Sequence, residues 1–255
     1  PPGSTLFPYT TLFRCFREGE LTIWAGVNGS GKSLVMGQTA LWLCRKTPVL
    51  IASMEMLGSA TIARMLRQSC GKEKPSKEDV EDFKQVTSNL WIYDQVGSVD
   101  RDAIIGMIHW ASVEHGIQHI MIDSLVKCGI DQERNEPQKR FVDDLCWCAK
   151  NHMVHIHLVN HMRKPNNPRE IPDRFAIKGA GEITDLADNV IIVARNIEKE
   201  QDIMDNIAVA YDREDGYLYF AKQRHGEWEG LKKFWFHDAS LQWLGAYGVE
   251  PMKLL

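Results

Sequence analysis

The stretch Gly26-Val27-Asn28-Gly29-Ser30-Gly31-Lys32-Ser33 fits the pattern G-x-x-x-x-G-K-[ST] without a gap, and the rest of the chain is read outward from it. A short apolar run, Leu21 to Ala25, precedes it and predicts a buried strand. Leu34 to Leu43 follows with apolar residues at helical spacing. Strand, glycine-rich turn and helix together make an anion site. Gly26, Gly29 and Gly31 permit backbone conformations closed to other residues, so successive N–H groups can face phosphate oxygens. The start of the helix adds unpaired N–H groups and the positive end of its dipole. Lys32 is expected to reach the β- and γ-phosphates, and Ser33 to offer its hydroxyl to Mg²⁺. Gly26 to Leu34 is thus the expected binding segment for ATP or another NTP or dNTP.

With 255 residues, 44% of them hydrophobic and 25% charged, the chain can build one large α/β domain. A net charge of −4 argues against a surface that is basic all over, so contact with nucleic acid must come from local basic loops. The six cysteines form no C-x-x-C pair and read as buried, reduced thiols of a cytosolic protein. No apolar run approaches the ~20 residues of a membrane span. No signal peptide or internal repeat is visible. The leader TLFPYTTLFR, Thr5 to Arg14, resembles the in-frame translation of a common sequencing-library adaptor. Residues 1–15 are therefore expected to be non-native, with one ATPase domain over 16–255 and a natural protein extending upstream.

Strand and helix keep alternating after the first unit. Strands are predicted at Pro48–Ser53, Leu90–Tyr93, Ile117–Ser124, Val154–Asn160 and Val190–Ala194, with helices at Ser59–Cys70, up to Thr87, Arg101–His115 and Glu136–Asn151. Short strands near Tyr217–Lys222, Lys232–Phe236 and Leu241–Leu244 close the chain. This order predicts a mostly parallel twisted sheet with helices on both faces and antiparallel strands at the C-terminal edge. Functional groups in such sheets gather beyond the carboxyl ends of the strands.

Asp123 closes Ile120-Met121-Ile122, where a carboxylate at a strand tip can hold Mg²⁺ through its water shell; capping of the next turn is the plain alternative. Glu55, after the second strand, can orient the water that attacks the γ-phosphate; an exposed surface glutamate is the plain alternative and the favoured one for this residue taken alone, while its neighbours Met54 and Met56 are compatible with a semi-buried functional carboxylate. His161 ends a strand in LVNHMRKP and can sense the γ-phosphate, with Arg163 and Lys164 on the same loop. His155 and His157 invite a zinc reading, but alternate strand residues share a face that is normally packed against a helix. Lys178 and the loop Gly179-Ala180-Gly181 offer a cation and backbone amides to a phosphodiester chain, or form an ordinary mobile loop. Lys222 and Arg224 have no obvious partner in the local sequence. A rim arginine can complete a neighbouring subunit's site as a finger; surface solvation competes with that reading.

GVNGSGKS, ASMEM, IMIDSL, HLVNHMRKP, IKGAGEITDLADNVIIVARN and KQRHGEWEG, in this order, resemble the C-terminal RecA-like ATPase domain of DnaB-type replicative DNA helicases. The nearer resemblance is to the Twinkle and bacteriophage primase-helicase branch. It implies a RecA-like P-loop NTPase fold, a homo-hexameric ring around single-stranded DNA, and 5′-3′ translocation driven by hydrolysis. By motif, Glu55 becomes the catalytic carboxylate, His161 the γ-phosphate sensor and Arg224 the trans finger with Lys222 beside it. Arg163, Lys178, Gly179 and Gly181 fall in the DNA-facing loops, and Phe236 matches a position that stacks on the nucleotide base. A histidine at 161, where many DnaB-type proteins carry glutamine, points to the phage-like branch, with a primase domain expected upstream. Gly-Ala-Gly replaces a common Gly-Ser-Gly and removes one hydroxyl. The competing readings are a RecA-fold recombinase and a non-hydrolysing helicase-loading module.

Overall fold

Alternation along the strand Leu21–Gly26 (β1) divides the core into two layers. All six residues are buried, yet neighbours face opposite sides of the sheet. Leu21, Ile23 and Ala25 join one apolar layer with Ile108, Phe141 and Leu145; Trp24 joins the other with Met36, Leu41 and Met65. A strand covered on both faces needs an unbroken apolar run, which is how this one reads in sequence.

The computed structural model describes residues 16–131, 134–163, 176–177, 180–207, 212–226 and 228–254. After β1 come helix α1 (Lys32–Cys44), β2 (Val49–Ser53), α2 (Gly58–Cys70), α3 (Lys77–Val86), β3 (Leu90–Ile92), α4 (Arg101–His115) and β4 (His119–Asp123). A 3-10 turn, Leu125–Lys127, leads to α5 (Asn135–His152), β5 (His155–His161), α6 (Ala180–Leu186), β6 (Asn189–Arg195) and α7 (Ile197–Met204). The hairpin strands β7 (Gly216–Gln223), β8 (Gly230–His237) and β9 (Gln242–Leu244) follow.

The nine strands lie in the order β3-β2-β4-β5-β1-β6-β7-β8-β9. The pairings from β3 through β6 are parallel; β7, β8 and β9 add antiparallel at one edge. This is the expected fold class. Register then sets the strand tips: Gly26 is opposite His161, and Ser53 opposite Asp123. Helix α1 is buried on nearly every side because the C-terminal edge folds over it. Gln38 donates from Nε2 to the Trp243 carbonyl at 3.1 Å and accepts from the Trp243 N–H at 2.9 Å.

Two local features depart from the sequence expectation. Helix α7 has no counterpart among the predicted elements: it carries few apolar residues and is held by the Asn196 side chain, which accepts from the Lys199 N–H at 3.1 Å. The segment expected to be a loop at 179–181 turns helical at Ala180, so Gly181 sits in the first turn of α6.

Near the amino ends of the strands, His119, His155 and His157 form a buried cluster. His119 Nδ1 lies 3.2 Å from His157 Nε2, Trp24 Nε1 donates to His157 Nδ1 at 3.2 Å, and Thr22 Oγ1 is 2.8 Å from His155 Nε2. Phe16 packs edge-on against His155 and His157, with ring centroids 5.1 and 4.7 Å away. These rings are core, and among the described residues no group of three or more His, Cys, Asp or Glu side chains is arranged to hold a metal ion.

Candidate functional site: a phosphate cleft beyond the strand tips

The turn from β1 into α1 is built as an anion cradle. Gly29 and Gly31 have φ of 79° and 88°, the left-handed region that favours glycine. Gly26 does not share that conformation; its constraint is space. A Cβ there would lie 2.5 Å from both Ser30 Oγ and the Val193 carbonyl. At the start of α1, Gly31 provides no side-chain cap, which leaves the helix N–H groups for a ligand. Lys32 folds back over the turn, donating to the carbonyls of Gly26 and Val27 at 2.9 Å each.

Ser33, the next residue of α1, donates from Oγ to Asp123 Oδ2 at 2.6 Å. That contact joins the first turn of α1 to the tip of β4. Two residues beyond β2, Glu55 accepts from Ser124 Oγ at 2.7 Å on Oε1, and His161 Nε2 lies 3.4 Å from the same oxygen. Residues from the ends of β1, β2, β4 and β5 therefore converge on one cleft of ≈ 830 Å³. Asn28, Gly29, Leu34 and Lys127 also line it. The volume falls in the range of small-molecule sites, roughly 300–1,000 Å³.

Electrostatics differ between the two carboxylates. Burial pushes Asp123 above its ordinary value, with the hydrogen bond from Ser33 opposing. Burial acts on Glu55 in the same direction, but hydrogen bonds from Ser124 and His161 outweigh it, aided by the nearby charge of Lys127, and hold Glu55 below the usual range. Desolvation lowers Lys32, against the attraction of Asp123 and Glu55. His161 is lowered by burial and by Lys32, which favours the neutral ring. Ser30 Oγ and His161 Nδ1 are buried without a hydrogen-bond partner among the described residues. Unpartnered polar atoms beside a cradle of amides fit a site that takes a polar ligand. A hydroxyl and a carboxylate converging as Ser33 and Asp123 do are hard oxygen donors of the kind Mg²⁺ takes.

A second groove, ≈ 340 Å³, opens on the other side of Gly29 and Gly31, and Phe236, Trp243, Arg195 and Glu200 form its walls. Phe236 therefore lies beside the phosphate loop, although β8 is far from it in sequence. Arg195 and Glu200, both in its lining, pair at 2.6 Å.

The rim residues have partners that sequence does not reveal. Lys222 donates from Nζ to the carbonyls of Thr184 and Asp185 at 2.8 and 3.0 Å, the last turn of α6. Arg224 donates to the carbonyls of Asp185 and Leu186 at 3.0 and 3.3 Å and pairs with Asp188 at 3.2 Å. Both cations thus cap α6 within their own subunit. Arg163 is exposed just past the tip of β5; its N–H donates to the Ala176 carbonyl at 2.9 Å, and Met162 bridges to Ile177. The loop after β5 and the approach to α6 are therefore tied together. Gly181 is exposed, with open space around it. Residues 1–15, Lys164, Lys178 and Gly179, and the side chain of Ala180, lie outside the described residues.

Sequence reasoning missed Ser124, Lys127, Arg195 and Glu200. For Ser124 the one available signal is its place directly after Asp123. The other three are polar residues one turn or one strand end beyond a recognised motif, and no local pattern marks them.

A sequence profile described as the AAA domain matches residues 11–167. Among solved structures, the chain is similar to an ATPase domain with a TM-score of 0.73 at 17% identity, over 95% of this chain and 90% of that one. It is also similar to a DnaB-like replicative helicase whose structure was described with its interactions with primase; there the TM-score is 0.68 at 18% identity. That match covers 92% of this chain and 60% of the helicase chain. At these identities the likeness establishes the fold, which is the RecA-like one. No helix among the described residues is long and apolar enough to cross a membrane.

Proposed function

The chain belongs to the AAA domain family and is an NTPase-type domain, and we propose that it is the motor of a ring-forming replicative DNA helicase, hydrolysing ATP or a related NTP at subunit interfaces. The observation that carries this reading is the convergence of Ser33–Asp123 and Ser124–Glu55–His161 on one cleft beside the glycine-rich turn. A nucleotide-binding switch needs the first pair. Glu55 supplies what a hydrolase needs in addition: a carboxylate held ionised and fixed by two neighbours at the γ-phosphate end.

In this mechanism the amides of Gly26 to Leu34 and the Lys32 ammonium hold the triphosphate. Ser33 and, through a water shell, Asp123 would hold Mg²⁺, which would supply neutralising charge to the phosphates. Glu55 orients a water in line with the γ-phosphorus and takes its proton as the new P–O bond forms and the bond to the β-phosphate oxygen breaks. His161, neutral and next to Glu55, contacts the γ-phosphate and changes partner once phosphate leaves. Because Arg163 lies two residues beyond His161, that change shifts the loop facing DNA. Lys222 and Arg224 act on the neighbour's nucleotide, and the base rests against Phe236. Arg163, Lys164, Lys178, Gly179, Ala180 and Gly181 make the single-stranded DNA contact. Homo-hexamer assembly, 5′-3′ polarity, a primase domain upstream and a cytoplasmic setting in a bacterial or phage-infected cell belong to the same proposal.

The test is hydrolysis with and without single-stranded DNA, followed by unwinding of forked DNA. Glu55→Gln should retain nucleotide binding and lose about 10²-fold or more in turnover, as expected for removal of a water-orienting base. Tight binding by the wild type with no turnover on DNA would instead identify a loading module. Open filaments with strand exchange would identify a recombinase.

A further inference from the structure

Lys32, Arg64 and Lys127 are the cations lining the phosphate cleft among the described residues. Lys32 is accounted for by the phosphate loop. Lys127 has no role in the mechanism above, yet its backbone is fixed on both sides. Its N–H donates to the Ser124 carbonyl at 2.9 Å, and its carbonyl accepts from the Val99 N–H at 2.8 Å. Val99 immediately precedes Asp100, whose side chain caps α4 by accepting from the Asp102 N–H at 2.9 Å. The 3-10 turn is thus held between the serine that positions Glu55 and the start of a core helix. At the other end of the side chain, the half-buried Lys127 ammonium makes no hydrogen bond or ion pair with any described residue.

A fixed base with an unspent charge, beside a carboxylate and in the lining of the cleft, is arranged for an anionic ligand. We propose that Lys127 is a second cation acting in cis on the terminal phosphate: it approaches a γ-oxygen from the β4 side of the cleft, whereas Lys32 approaches from β1. Its position supports this assignment. Lys127 lies close enough to Glu55 to help hold that carboxylate ionised, and Glu55 marks the γ end. The groove beside Phe236, at the base end, is not lined by Lys127. The ammonium therefore distinguishes triphosphate from diphosphate, and after phosphate release it is left near Glu55. This inference rests on the nucleotide reading above and adds a residue to it.

The experiment measures Kd for a non-hydrolysable ATP analogue and for ADP, each with Mg²⁺, on the full chain and on Lys127→Gln, Lys127→Arg and Lys32→Ala. Losing one charge-assisted hydrogen bond to the γ-phosphate should weaken the analogue about tenfold and leave ADP within about twofold. Lys127→Arg should recover most of the loss. Equal weakening of both nucleotides, or none, overturns the proposal. So does a pattern in which Lys127→Gln moves the acid limb of the hydrolysis profile upward without changing either Kd, since Lys127 would then serve only to keep Glu55 ionised. If the wild type binds neither nucleotide, or Lys32→Ala binds as well as wild type, the nucleotide reading fails and takes this inference with it. Normal wild-type binding with a sensitive Lys32→Ala and an unaffected Lys127→Gln sinks the lysine alone.

Discussion

Acidification should destabilise this domain through its buried histidines. Burial pushes His119 down from an ordinary 6.5 to about 4, and burial with the charge of His119 pushes His155 to about 3. His157, enclosed by both, is lowered too. The groups around them offer no compensating anion: Thr22 and Trp24 from β1, Phe16, and the Arg17 carbonyl, which lies 2.7 Å from His155 Nδ1. Glu20, just before β1, is already occupied by Asn189 at 3.0 Å and Arg17 at 3.6 Å. An unfolded chain takes up these protons near pH 6.5, whereas the folded chain refuses them until the pH is two or more units lower. Stability is therefore fully present above pH 6.5 and lost as pH falls, by about 1.4 kcal/mol per histidine per pH unit. Two histidines between pH 6.5 and 5 account for about 4 kcal/mol, a large share of the roughly 5–15 kcal/mol that holds a domain together. Asp79, held down to about 2 by Lys72 and Ser76, adds its own loss only below about pH 4. The assay is urea unfolding at pH 7.5, 6.5, 5.5 and 5.0, followed by tryptophan fluorescence, on wild type and His155→Gln. The variant should be less stable at pH 7.5 but lose stability with a slope shallower by about one proton. Identical slopes in the two proteins would refute the argument.

Other outcomes follow from the site. Gly26→Ala places a methyl 2.5 Å from a backbone carbonyl that cannot move aside, so it should cost about 1–3 kcal/mol in urea unfolding and weaken nucleotide binding in a fluorescence titration. Because burial raises Asp123 and lowers Lys32, kcat/KM for hydrolysis should fall on the acid side at a pH above the 3.8 of an ordinary aspartate, and on the alkaline side below 10.5. A profile flat from pH 4 to 10 would contradict both assignments.

Much of this architecture is legible in the chain because periodicity and punctuation agree. Leu21 to Ser33 states strand, turn and helix within thirteen residues, and the strand-tip rule then picks out Glu55, Asp123 and His161, which the fold brings together. What stays hidden depends on distant pairing. Lys222 and Arg224 look solitary in sequence because their acceptors are the carbonyls of α6 and the Asp188 carboxylate, reached only when β7 pairs with β6. Helix α7 escapes notice because a polar stretch gives no hydrophobic period; its one buried residue, Lys199, is anchored by Asp215 at 2.8 Å. The groove beside Phe236 requires β8 and β9 to fold back over α1, and no motif announces that.

The capping of α6 by Lys222 and Arg224 has a mechanical consequence. One ammonium and one guanidinium cannot serve two masters: a neighbour that draws them onto its own phosphates must hand the carbonyls of Thr184, Asp185 and Leu186 back to water and strip buried Asp188 of its countercharge. Under the proposed trans role, such a latch would make closure of an interface loosen the short helix behind it, so that holding a neighbour's nucleotide and holding α6 would draw on the same two side chains.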